Sequence, residues 1–144
     1  MQTTKSNTSD LKLSERIKVG ETAQMQRTVC DADVLQFAEL SGDYNPVHLD
    51  EAYAKTTRFG GRIAHGLFCS AMVSALLGME LPGLGTIILS ENMRFRYPAY
   101  INDTVIAQVQ VASIDPKKNR ATISFVCKNQ SGKILMDGSA EVTV

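Results

Sequence analysis

The sequence predicts an α+β domain in which one antiparallel β-sheet wraps around a long central helix. Three observations lead there. Residues 63–79 form the most apolar stretch of the chain, interrupted by His65, Ser70 and Ser74. From Thr86 onward, four segments (86–97, 104–114, 121–129 and 133–144) are rich in Val, Ile, Thr and Phe. Asn102-Asp103, residues 115–119 and Ser131-Gly132 punctuate them as turns. In the second segment, Val105, Ala107, Val109 and Val111 alternate with Gln108 and Gln110, the period of a strand with one buried face.

Residues 1–10 are polar and rich in Thr, Ser and Asn, without the apolar centre of a signal peptide. Residues 1–15 are therefore expected to be a flexible tail, and residues 16–144 a single domain. Residues 21–29 alternate enough for a first strand. Asp31 is a good N-cap for a short helix carrying Val34, Phe37, Ala38 and Ser41, which Gly42 stops. Asp43-Tyr44-Asn45-Pro46-Val47-His48 has strong turn chemistry. Asp50 is placed to cap a second short helix through Glu51, Ala52, Tyr53 and Ala54. The third helix starts near residues 63–66 and runs to about Met79, before Leu81-Pro82-Gly83. It is apolar on nearly every side, so it must be enclosed by other structure. The remaining strands read as an antiparallel meander.

Fifteen basic residues balance fifteen acidic ones, which excludes the broad positive field of a nucleic-acid binder. The run 63–79 is slightly short for a membrane span. Cys30, Cys69 and Cys127 are odd in number and far apart, without metal-ligand spacing. They fit a reducing compartment, and a cytoplasmic location is expected. Neither a metal nor a cofactor is expected. There is no G-x-S-x-G elbow or Gly-rich phosphate loop.

Three features carry candidate chemistry. Asp43 and His48 are a close Asp/His pair on a loop that Pro46 stiffens, restricting Asn45 to extended conformations. Such a loop holds a carboxylate and an imidazole at fixed separation. Water addition needs one group to take a proton from water and a proton to reach the adjacent carbon; histidine suits this by its pKa. Spacing alone is a weak signal and favours an Asx-turn at Asp43 and a surface His48. The second feature is Gly66, at the start of the apolar helix. The first N–H groups of a helix lack intrahelical partners and stabilise a developing oxyanion, and glycine permits close approach. Tight packing explains Gly66 as well, and a structural role is the preferred reading of His65. The third is Ser74, on one helix flank with Gly66 and Ser70, where a hydroxyl would orient the loop residues. A serine bonding back to its own helix is the alternative.

The segment 37–48, followed by Ala54, resembles the hydratase-2 motif of the MaoC-like (R)-specific enoyl-CoA hydratases. Ile63-Ala64-His65-Gly66 matches the start of their central helix. The resemblance runs from about residue 16 to the C-terminus. It implies a hot-dog fold and reversible addition of water to trans-2-enoyl-CoA, giving (R)-3-hydroxyacyl-CoA. It implies Asp43 and His48 as the catalytic pair, Ser74 and Asn45 in support, and the Gly66 N–H on the thioester carbonyl. It implies a homodimer and no prosthetic group, the CoA thioester being substrate. Arg62, Arg94 and Arg96 are candidates for the CoA phosphates. Within the same fold, a dehydratase or thioesterase would carry a carboxylate on the central helix, which here has none before Glu80. A non-catalytic acyl-thioester-binding domain would have lost Asp43 or His48.

Overall fold

The computed structural model describes residues 10–144. The helices are α1 (Leu13–Arg16), α2 (Asp31–Ser41), α3 (Pro46–Leu49), α4 (Glu51–Lys55) and α5 (Gly66–Met79). The strands are β1 (Thr22–Thr28), β2 (Ile87–Phe95), β3 (Thr104–Asp115), β4 (Arg120–Lys128) and β5 (Ile134–Thr143). They form one antiparallel sheet of order β1-β3-β4-β5-β2. The sheet curls around α5, the hot-dog arrangement. Among the described residues, no helix is long and apolar enough to cross a membrane.

The alternation in β3 buries Val105, Ala107, Val109 and Val111, and β4 buries Ala121, Ile123, Phe125 and Cys127. These side chains meet Phe68, Met72, Val73, Leu76 and Leu77 of α5 in one core. Burying a Leu or Phe side chain contributes about 1.5–3 kcal/mol, so this contact sets where α5 lies. The expected turn residues take the backbone shapes that turns require. Gly42 ends α2 at φ 78°, and Asn102, Asn119 and Gly132 also have positive φ.

Four expectations need correction. Residues 1–9 of the expected tail lie outside the described residues, but the core begins before residue 16. Leu13 is fully buried, and its N–H donates to the Asn119 side chain at 2.9 Å. Cys30, not Asp31, occupies the N-cap of α2. The acidic contact comes from Asp33, which accepts from the Cys30 N–H and pairs with Arg27. The strands after Thr86 are not a simple meander, because β2 crosses to the far edge and pairs with β5. Its connection to β3 is too long for a hairpin turn, and β3 is taken on its other side by β1. Gly138 makes the β2–β5 pairing possible, since a Cβ there would lie 2.0 Å from the Asn92 carbonyl oxygen.

The fourth correction concerns enclosure. One sheet covers only one side of α5. Leu67, Ala71, Ser74 and Ala75 stay exposed, Leu67 at 55%.

Candidate active site

Asp43 and His48 lie on the loop and single helical turn between α2 and α4. Local bonds shape this segment. The Asp43 N–H donates to Ser41 Oγ (3.1 Å), and Asp43 Oδ1 accepts the Asn45 N–H (3.1 Å). Asn45 Oδ1 in turn caps α3 by accepting the Val47 N–H (3.3 Å), with Pro46 in the first turn. The Asx-turn and the candidate chemistry thus coexist on different oxygens. Oδ1 closes the turn, while Oδ2 faces His48 Nε2 at 3.8 Å.

His48 is buried, and its ring is held from behind. His48 Nδ1 lies 2.8 Å from the Ile63 carbonyl oxygen. A carbonyl only accepts, so Nδ1 carries the hydrogen and the neutral ring presents a lone pair at Nε2. Burial is the main influence on its pKa and pushes it below the ordinary histidine value; His65 acts the same way, while the Ile63 carbonyl and Asp43 oppose. The resting ring is neutral at physiological pH. Nε2 and the half-exposed Asp43 carboxylate are two acceptors facing one gap. Both can accept a hydrogen bond from one small polar molecule.

His65, whose structural role was the preferred reading, is joined to the pair. It is 4% exposed, its Nε2 lies 2.9 Å from the Asp43 backbone carbonyl, and its ring stacks on His48 at 3.9 Å between centroids. Phe37 lies against it at 4.8 Å. A polar residue directly before a helical glycine, inside an apolar run, was the signal for this: buried polar groups require partners. Asp43, His48 and His65 offer donor atoms within 4.8 Å of one another. The two imidazoles are stacked, however, so their in-plane lone pairs run side by side. Nε2 of His65 is also already engaged. The trio suits a small polar molecule better than a cation that demands convergent ligands.

Gly66 opens α5 beside this trio. A Cβ there would sit 2.9 Å from the Phe95 ring, so glycine lets that ring lie against the helix start. A cavity of about 220 Å³ extends from it, lined by His48, His65, Gly66, Cys69, Phe95 and Tyr97 among others. Arg58 and Arg96, both exposed, also line it, the latter paired with Asp137 at 3.2 Å.

Two expected partners lie elsewhere. Ser74 lines a separate groove with Phe37, Leu67, Ser70, Ala71 and Leu89, and makes no hydrogen bond to Asp43 or His48 among the described residues. Arg62 is committed to the scaffold. Its Nε donates to the His48 carbonyl at 2.7 Å, and its Nη2 pairs with Asp31 at 2.6 Å.

Comparison with known proteins adds to this geometry. Residues 14–131 match the family described as MaoC like domain. The chain is 42% identical over 130 residues to an (R)-specific enoyl-CoA hydratase of Rhodospirillum rubrum, covering 90% of each chain. It is 41% identical over 130 residues to a 3-hydroxybutyryl-CoA dehydratase of Methylorubrum extorquens, covering 90% of this chain and 82% of that one. The solved (R)-hydratase from A. caviae, described as involved in PHA biosynthesis, superposes with a TM-score of 0.87 at 38% identity. That match covers 89% of this chain and 97% of the other.

Proposed function

The chain belongs to the MaoC-like family, and from that premise we propose that Asp43 and His48 act together on one water in the hydration of an enoyl thioester. The reaction is that of an (R)-specific enoyl-CoA hydratase: trans-2-enoyl-CoA and water give (R)-3-hydroxyacyl-CoA, reversibly. The observation that carries the residue assignment is the tie between His48 Nδ1 and the Ile63 carbonyl. It leaves Nε2 unprotonated and facing Asp43 Oδ2 across 3.8 Å.

Water held between them donates one hydrogen to Asp43 and the other to His48. Its oxygen bonds to the β-carbon as His48 Nε2 takes the proton. The double-bond electrons move toward the α-carbon and the thioester oxygen. The Gly66 N–H, at the positive end of α5, stabilises that oxygen. His48 then returns the proton to the α-carbon, so one water supplies both groups added. CoA is substrate, and no step draws on a separate cofactor. We assign its phosphates to Arg58 and Arg96, exposed arginines that line the cavity.

The test is hydration of crotonyl-CoA followed by absorbance, with chiral analysis of the product. Folded Asp43→Asn and His48→Gln variants each lose at least about 10²-fold in kcat, with KM changed far less. Near wild-type kcat in either variant would overturn the assignment.

The working form is a homodimer. Leu67 and Ala71 on the bare flank of α5 share a groove with Ile88 and Leu89 on β2, whose outer edge is unpaired. A second copy related by a two-fold axis covers both. Ser74 lies in that groove. Its support of the site therefore runs through the assembly and not through contact with its own Asp43.

A further inference from the structure

We propose that His65 is a positioning residue of the hydration step, acting through the Asp43 main chain and the His48 ring. This rests on the assignment of Asp43 and His48 above.

Three contacts converge on this one side chain. His65 Nε2 reaches the Asp43 backbone carbonyl at 2.9 Å, across 22 residues of sequence. That carbonyl accepts, so Nε2 carries the hydrogen and the bond pins the main chain from which the carboxylate projects. One face of the His65 ring stacks on His48, with centroids 3.9 Å apart and planes 28° apart. Phe37 supports His65 at 4.8 Å. His48 is therefore fixed twice, at its edge by the Ile63 carbonyl and on its face by His65. The Asp43 carboxylate is 51% exposed, and no cation pairs with it among the described residues. Its aim rests on the Asn45 N–H at Oδ1 and on the backbone that His65 holds.

The location adds a further reason. His65 immediately precedes Gly66, where α5 begins. The same residue thus ties the water-handling loop to the helix end that meets the thioester oxygen. Loss of that tie lets the loop shift relative to Gly66. Displacements of about 1 Å between reacting groups are worth up to about 10²-fold in rate. His65 Nδ1 is buried without a partner, so the ring is held in place at the cost of one unsatisfied atom. A side chain kept only for packing would avoid that cost by being apolar.

The test separates donor from bulk in the intact protein. His65→Gln carries an amide N–H to about the position of Nε2. His65→Asn carries one only as far as Nδ1, and His65→Phe keeps a ring with no donor. Each variant is first checked for folding by thermal melting and for its oligomeric state. With crotonyl-CoA, Asn and Phe are expected to lower kcat at least tenfold with KM within about threefold, while Gln recovers most of the loss. The proposal is overturned if folded Asn and Phe variants keep wild-type kcat. It is also overturned if KM rises while kcat holds, or if Gln is no better than Asn. Should Phe fail to fold, the Gln–Asn comparison decides alone, both being polar and smaller than histidine. Asp43→Asn and His48→Gln are run beside them. If those two retain activity, the catalytic assignment has failed. If they lose it while the His65 variants do not, only the positioning role has.

Discussion

Single residues in this site do two jobs at once, and bonding partners assign them. Asp43 spends one carboxylate oxygen on the turn and keeps the other for the gap facing His48. The motif was legible in the sequence as an Asp/His pair around a proline. The division of labour between oxygens was not, because it depends on contacts with residues 63 and 65. Both histidine tautomers follow from carbonyls that sequence spacing does not place nearby. His48 also sets a pH dependence. Asp43, His65 and the Ile63 carbonyl surround its ring, and Arg62 binds its own carbonyl. Burial dominates and lowers its pKa from 6.5. Because the proposed mechanism uses the neutral ring, kcat/KM is expected to hold through neutral pH and to fall only below 6.5, on an acid limb of one proton. The linked stability has the same sign. The folded state binds this proton less readily than the unfolded chain, so His48 costs stability as pH falls below 6.5 and nothing well above it. A kcat/KM profile with its acid midpoint above 6.5 would contradict the burial account.

Among the elements, the local ones were legible and the long-range ones were not. Gly42 stopping α2, the alternation of β3 and the turn at Gly132 follow from nearby residues. The position of β2 does not, because strand neighbours are set by which apolar faces meet across the sheet. The only sequence trace of that pairing is Gly138, in the middle of a strand where glycine otherwise weakens the structure. Its missing Cβ is what lets β5 approach Asn92 and Met93 of β2. Gly138→Ala is expected to force the backbones apart and to destabilise the fold by about 1–3 kcal/mol, read as a lower denaturant midpoint. An unchanged midpoint would mean that the two strands tolerate separation.

For the whole molecule, the helix that sequence reading expected to be enclosed is half open in one chain. The expectation was physically right about an apolar helix and silent about which chain does the enclosing. Light scattering at micromolar concentration is expected to give the mass of two chains. Leu89→Lys or Leu67→Glu, placing a charge on the exposed face, should shift the equilibrium toward monomer and lower activity together with it. Monomeric wild-type protein at that concentration would remove the dimer and return Ser74 to an ordinary surface serine.

The tie between His48 Nδ1 and the Ile63 carbonyl bears on the route a proton can take. A ring sealed on one side has a single port for protons, so whatever enters at Nε2 must leave by it. In the mechanism proposed, the enzyme begins and ends each turnover in the same state, neither drawing a proton from bulk solvent nor losing one. The same port serves the reverse reaction, in which Nε2 takes the α-proton and hands it to the departing hydroxyl; like any catalyst, the site speeds both directions alike. Which way the reaction runs is left to mass action, to the relative concentrations of the unsaturated thioester and its hydroxy counterpart.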